Sequence, residues 1–277
     1  MRWQGRERSE NVEDRRGIPT AGLVIGGGSL IDRAKLWRFE NAPGAELIAV
    51  PSIWGSGAEV SPVAVLDDGL DKKIRVDPTL VPDKACFWPE LAQSIPENLA
   101  RDACGDAWSH AMEGFLSPMA TDQLRGDLAT VIRQLIALPI GNDPLWFEAS
   151  AKACSGQAQS SVGLVHGIAH TLEGILRSKF PGDNWGHARL CATFLLPVME
   201  FNRQSAEKWN LLASEFDLDE STIFSKLKQL SDQEAYNQAL PYLDEYWMDI
   251  VKDPCSRTNS SLVRPGSKAF FLEWPVK

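Results

Sequence analysis

Cysteine is too sparse and scattered to build a framework. Cys86, Cys104, Cys154, Cys191 and Cys255 are odd in number and form no CxxC pair, which argues against a disulfide scaffold and a cysteine-rich zinc site. A reducing cytoplasm is the simplest setting for such a set. Basic charge is also short: 28 Lys and Arg stand against 37 Asp and Glu, a formal net charge of -9. The clustered cations that nucleic acid demands are missing, so no nucleic-acid partner is expected. No apolar run reaches the roughly eighteen residues of a membrane span, so no membrane partner is expected either. The opening MRWQGRERSENVEDRRG is charged, lacks an apolar stretch and reads as no secretory leader. Internal repeats and low-complexity tracts are absent. Histidine is scarce too, but its four copies (His110, His166, His170 and His187) fall close together in the chain.

Tryptophan, by contrast, is abundant, with 10 copies that read as core and subunit packing. Residues 1–20 are polar and expected to be loose. Leu23–Ile25 form a short apolar run that ends at Gly26-Gly27-Gly28 and passes into a helical pattern near Ser29, which predicts strand, tight turn and helix. Glu46–Val50 predicts a second buried strand. Residues 61–76 alternate around Asp67-Asp68-Gly69 as a hairpin, and Ala85–Phe87 predicts one more short strand. Ser94 and Glu97 have the spacing of a capping box. From there nearly every segment has helical spacing, with the stretch after Pro254 reading as irregular. The expected organisation is an α/β part over residues 1–92 followed by a helical part over 93–277.

Chemistry concentrates in the helical part. Asp106 and His110 are four residues apart, so one helix face presents both to one point, and His166 and His170 repeat the spacing. His187 follows a glycine-rich loop, PGDNWGH, that can fold it back. Imidazoles with a carboxylate make a borderline-soft set suited to Zn²⁺ or Fe²⁺. The spacing alone leaves a second reading open, that of ordinary structural histidines on helix faces. The Gly26–Ser29 turn is likewise either a phosphate cradle at a helix N-terminus or a plain strand-to-helix turn. The Ser52–Glu59 loop adds hydroxyls and two glycines after the second strand, an arrangement that suits a dinucleotide across strand ends.

Taken together these stretches resemble the iron-containing (metal-dependent, group III) alcohol dehydrogenases. GGGSLIDRAK at 26–35 is similar to that family's GGGSxxDxAK, and PSIWGSGAEVSP at 51–62 to its PTTxGTGSEVT loop. DKKIRVDPTLVPDKACFWPEL at 71–91 follows its lysine-containing strand. SIPENLARDACGDAWSHAMEGF at 94–115 resembles its DAxxHAxEGY helix, GLVHGIAHTLEG at 163–174 its GxxHxxAHxLG, and WGHA at 185–188 stands where the family has PHG.

The resemblance, which runs from about residue 21 to 205, implies a dehydroquinate synthase-like architecture: a Rossmann-like, dinucleotide-binding α/β part, here incomplete, then an all-α domain. It implies metal ligands Asp106, His110, His166 and His187, with His170 as the catalytic proton-transfer residue. It further implies a pyrophosphate on Gly27, Gly28 and Ser29, with Asp32, Ser52, Ser56 and Lys72 near the cofactor. The implied activity is NAD- or NADP-linked, Fe²⁺- or Zn²⁺-dependent hydride transfer to and from a small alcohol or aldehyde, in a cytoplasmic homo-oligomer, a dimer. The competing readings are a metal-binding remnant with weak or no catalysis and a metal-dependent lyase or synthase on the same fold.

Several departures carry expectations of their own. The GGGS turn normally follows several strands of the cofactor domain; here it starts at residue 26, which implies a chain truncated at its N-terminus and an exposed apolar sheet edge. Ile53 and Trp54 replace small or hydroxylated residues, and Trp54 is expected to narrow the nicotinamide pocket. Trp108, Phe115 and Trp185 are expected to add bulk near the metal.

Overall fold

The computed structural model describes residues 22–68, 71–204 and 206–274, with backbone but not side chains at 67, 68, 71, 72 and 206. The expectation for residues 1–20 lies outside the described residues. Strand β1 (Gly22–Gly26), helix α1 (Gly28–Asn41) and strand β2 (Leu47–Pro51) form a βαβ unit: β1 pairs parallel with β2, from Gly22 opposite Leu47 to Gly26 opposite Pro51. Strands β3 (Val63–Asp68) and β4 (Asp71–Val76) make a separate antiparallel hairpin, and β5 (Lys84–Ala85) adds a short parallel strand to β2. The parallel sheet therefore runs β1-β2-β5 with β2 in the centre.

A row of charged residues on the buried face of α1 ties these pieces together. Asp32, Lys35 and Arg38 recur every three residues, so they share one side of the helix. Lys35 is fully buried; its Nζ pairs with Asp32 Oδ1 at 3.0 Å, donates to the Ala58 carbonyl at 3.0 Å and also donates to the Val63 carbonyl. Asp32 Oδ2 in turn accepts from Val65 N at 3.0 Å, which pins β3. Arg38 reaches Asp83 at 2.7 Å, and the same carboxylate oxygen accepts from Leu47 N at 2.7 Å. Buried charge is costly unless paired and hydrogen-bonded, and here each partner is satisfied.

The rest of the chain is helical: α2 (Glu97–Leu116), α3 (Asp122–Ala137), α4 (Leu145–Gln157), α5 (Leu164–Lys179), α6 (His187–Asn202), α7 (Ala206–Ser214), α8 (Glu220–Leu230), α9 (Gln233–Glu245), α10 (Trp247–Lys252), α11 (Pro254–Arg257) and α12 (Lys268–Leu272). Helix α2 is the axis. Every residue from Asp102 to Leu116 is buried, the signature of a helix enclosed on all sides rather than an amphipathic surface helix. Its small residues let neighbours approach: a Cβ on Gly105 would lie 2.4 Å from the Ala192 Cβ of α6. One large apolar core fills the helical part, and among the described residues before Ala92 only Trp54 contributes a buried side chain to it. The core under the parallel sheet is small by comparison, built on Val24, Ile31, Leu47, Ala49 and Ala58.

Three sequence expectations need correction. Ser94 and Glu97 form no capping box: a 3-10 turn at Pro89–Ser94 takes the Ser94 hydroxyl, which donates to the Leu91 carbonyl at 2.7 Å, and Pro96 caps α2 without a side-chain bond. The tail after Pro254 is ordered, with α11 and α12 in it. Its polar residues are used inside: Asn259 Nδ2 donates to Asn202 Oδ1 at 2.6 Å, and its Oδ1 accepts from Leu164 N at 3.1 Å. The third correction concerns Trp54 and is given with the site. Among the described residues β1 is an edge strand; its Leu23 and Ile25 are exposed, and so are Leu30 and Trp37 of α1.

Candidate metal centre and cofactor loops

Three helix segments converge. Helix α2 brings Asp106, His110 and Glu113 to one face, α5 brings His166, His170 and Glu173, and α6 begins at His187 and carries Cys191 one turn later. The Asp106 Oδ1 atom lies 3.9 Å from His110 Nδ1, 3.8 Å from His166 Nε2 and 3.9 Å from His187 Nε2. His110 Nε2 and His166 Nε2 are 3.1 Å apart. The His166 and His187 ring centroids are 5.4 Å apart, and His170 stacks on His187 at 5.5 Å.

The electrostatics suit a ligand set. Burial would raise the Asp106 carboxyl, but His110, His187 and His166 outweigh it and hold it below its ordinary value. Burial pulls His110 down, and burial with the neighbouring imidazoles takes His166 well below its usual range. The carboxylate is thus favoured in its ionised form and the His110 and His166 imidazoles in their neutral form, the protonation states that metal ligation requires. Asp106 Oδ1 is buried and has no hydrogen-bond partner. An ionised oxygen without a hydrogen bond is expensive in such a place, and a cation would satisfy it. The residues present thus fit a divalent metal.

Sequence reasoning missed the residue that orients this set. Glu113 Oε2 lies 2.6 Å from His166 Nδ1 and Oε1 accepts from Val165 N at 2.7 Å. Burial pushes the Glu113 carboxyl up to about 7, against hydrogen bonds from Gly163, Val165 and His166. Its bond to Nδ1 leaves His166 Nε2 as the lone-pair nitrogen facing Asp106. Its helical register was readable, since it follows His110 by three positions on the same face. Glu173 was missed as well and sits 3.7 Å from His187 Nδ1. His170 stands apart from the four expected ligands: its Nδ1 is 3.7 Å from Asp253 Oδ2 and 3.7 Å from Cys255 Sγ, both in the tail. Nothing in the local sequence around Asp253 signalled that placement.

The two glycine-bearing loops meet at the carboxyl ends of β1 and β2. Ser52 N donates to the Gly26 carbonyl at 2.9 Å. Gly27 caps α1 with no side-chain bond, which leaves the first N–H groups of the helix without a side-chain acceptor. A Cβ on Gly28 would lie 2.4 Å from Ser56 Oγ, so glycine is demanded there by the facing loop. Ser29 and Ser56 are exposed beside this turn, with Ser52 half-buried. Asp32 is turned inward to Lys35 and Val65 N. Lys72 lies on β4 opposite Asp67, and its side chain is outside the described residues.

The loop of residues 52–59 also reaches the metal-ligand helix. Gly55 has φ +106, and its N–H donates to Ser150 Oγ of α4 at 2.8 Å. A Cβ there would sit 3.1 Å from the Ala103 carbonyl and 3.3 Å from Asp106 Oδ2. Gly57, with φ +60, leaves no Cβ space against Cys154, which would be 2.1 Å away. The expectation for Trp54 is corrected here: its ring is buried against Phe147, edge-on at 5.3 Å, and its Nε1 donates to the Ala100 carbonyl at 3.3 Å. It anchors the loop to the helices and does not narrow a pocket. Trp108, Phe115 and Trp185 are likewise fully buried members of the core.

Known proteins resemble this chain in sequence and in fold. Residues 19–89 match the iron-containing alcohol dehydrogenase family. The chain is 32% identical over 201 residues to the 1-propanol dehydrogenase PduQ of Salmonella typhimurium, covering 66% of this chain and 52% of that protein. It is 30% identical over 208 residues to the probable alcohol dehydrogenase EutG of Escherichia coli, covering 65% and 51%. The chain thus spans about half the length of the curated relatives it matches. Among solved structures, an iron-containing alcohol dehydrogenase from Corynebacterium glutamicum superposes with a TM-score of 0.75 at 23% identity, covering 91% of this chain and 72% of that one. One from Thermotoga maritima gives 0.70 at 20% identity, covering 91% and 74%.

Proposed function

We propose that the chain, whose residues 19–89 match the iron-containing alcohol dehydrogenase family, is a member of it and a metal-dependent, NAD(P)-linked oxidoreductase of small alcohols and aldehydes. The observation that carries the reading is the closeness of Gly55 to Asp106. The loop that lines the strand ends, where a dinucleotide would lie, runs so close to the metal-ligand set that a Cβ on Gly55 would be 3.3 Å from Asp106 Oδ2. In this reading residues 1–92 form the cofactor part and 93–277 the metal-binding part.

Asp106, His110, His166 and His187 hold a divalent cation, iron or zinc. Gly27, Gly28 and Ser29 receive the pyrophosphate, with Ser52, Ser56 and Lys72 beside it and Asp32 bracing the turn from behind. When bound, the cation supplies Lewis acidity toward the substrate oxygen and the nicotinamide supplies the hydride chemistry. Asp106 contributes the negative charge of the centre. Glu113 fixes the His166 ring and its tautomer. His170, with Nδ1 turned to Asp253 and Cys255, keeps Nε2 for a proton exchanged with the substrate oxygen. Asp106, His110 and His166 are buried, so solvent would screen charge on a bound substrate oxygen little.

The experiment is a metal assay followed by a cofactor titration. Purified protein should carry close to one divalent ion per chain, His166→Ala should lose it, and NADH or NADPH should quench tryptophan fluorescence. Metal without either nucleotide would support a metal-binding protein with no dehydrogenase activity. Absence of both would end the proposal.

A further inference from the structure

Cys191 follows His187 by one helical turn on α6, as His110 follows Asp106 on α2. The other described buried thiols turn elsewhere: Cys104 faces the Gly141 carbonyl and Cys154 the Ser56 carbonyl. Cys191 faces the metal-ligand set. Its Sγ is 3.5 Å from His187 Nε2, the nitrogen that also faces Asp106 Oδ1. Donor atoms of Asp106, His166, His187 and Cys191 all lie within 4.8 Å of one another. Cys191 is fully buried, and Asp106 Oδ1 in the same group is buried without a hydrogen-bond partner.

The separation has a chemical meaning. A Zn–S bond of about 2.3 Å and a Zn–N bond of about 2.05 Å, at the angles of roughly 90–120° in a five-coordinate centre, place sulfur and nitrogen about 3.1–3.8 Å apart. Two imidazole nitrogens on the same ion come out at about 2.9–3.6 Å. The pairs here are 3.5 Å for Cys191 Sγ with His187 Nε2 and 3.1 Å for His110 Nε2 with His166 Nε2. Both pairs are spaced as donors to one ion are spaced.

We propose that Cys191 is a direct thiolate ligand of the cation, a fifth protein donor beside Asp106, His110, His166 and His187, and that it biases the centre toward zinc over iron. On binding, the sulfur–metal bond forms as the thiol proton leaves to bulk water. A soft thiolate favours zinc, whereas a set of imidazole and carboxylate alone accepts both metals. The inference rests on reading the centre as a metal site.

The test uses cobalt as a spectroscopic probe. Protein stripped by a chelator is titrated with Co²⁺. The expected result is a sulfur-to-cobalt charge-transfer band in the near ultraviolet alongside the visible d–d bands of the bound ion. Cys191→Ser and Cys191→Ala should lose the charge-transfer band and keep the d–d bands, while Cys255→Ser keeps both. In a zinc-against-iron competition read by metal analysis, the bound zinc-to-iron ratio should fall about tenfold in Cys191→Ser. Visible d–d bands without a charge-transfer band in the unmodified protein would overturn the thiolate ligand and leave the metal site standing. So would a band that survives both substitutions. No cobalt binding at all would overturn both.

Discussion

Glu113 Oε2 sits 2.6 Å from His166 Nδ1, and both side chains are buried on adjoining faces of α2 and α5. The bond decides which imidazole nitrogen carries the proton, and therefore which one is free for a metal. Partners of this kind typically contribute 10- to 100-fold to metal affinity. Glu113→Gln keeps an oxygen for Val165 N but loses the charge. It should weaken metal binding by about tenfold or more, measured by competition with a chromogenic chelator. Unchanged affinity would mean that the orientation of His166 is set by packing instead.

The lack of room for a side chain between Gly55 and Asp106 makes a second prediction. Gly55→Ala forces a side chain into positive φ and against the Ala103 carbonyl and Asp106 Oδ2. Gly44 offers the control, because it has φ +93 with nothing within 4 Å of its Cβ. Strain alone costs about 1 kcal/mol or slightly more at either position. Gly55→Ala should therefore lose more stability in urea than Gly44→Ala and should also lower metal occupancy. Equal losses with full metal binding would show that the loop yields without disturbing the centre.

The legible and the hidden parts of this molecule separate by range. The βαβ unit, the hairpin and the faces of α2 and α5 follow from periodicity, because strands and helices repeat their buried positions over a few residues. Asp106 with His110 and His166 with His170 declare themselves by four-residue spacing. Glu113 shares that face, yet a helical glutamate ordinarily reads as solvent-exposed. Trp54 was misread because only the tertiary fold lays its loop on α4. Cys191, Asp253 and Cys255 were invisible for the same reason: a lone thiol or a tail aspartate has no spacing signal until another element arrives beside it.

Stability should respond to pH through Glu59. Burial raises its carboxyl from 4.5 to about 7, with Lys35 pulling the other way and Asp32 adding to the rise. Between those values the folded state binds more protons than the unfolded chain, so stability falls as pH rises through the window and levels off above it. The loss amounts to about 3 kcal/mol. Glu59→Gln should remove it. Urea melts at pH 5 and pH 8 on both proteins give the difference, and an unaltered pH slope in the variant would reject the assignment.

The Asp32–Lys35 pair is the last lever, and it works on the α/β part alone. Lys35→Met strips the cation and leaves Asp32 buried with only Val65 N to answer it. Breaking a buried pair from one side costs about 3–5 kcal/mol, because the surviving charge has nowhere to go. Burial already raises the Asp32 carboxyl against the pull of Lys35, so without the lysine it should protonate more readily. The variant is therefore expected to lose most at high pH. Asp32→Asn together with Lys35→Met should recover much of the loss, since an amide can still accept from Val65 N. A double-mutant cycle by urea denaturation measures the coupling. A double variant no more stable than Lys35→Met alone would mean that the cost lies in the severed bonds to the Ala58 and Val63 carbonyls, and that Lys35 matters as a clamp on the hairpin and not as a counter-ion.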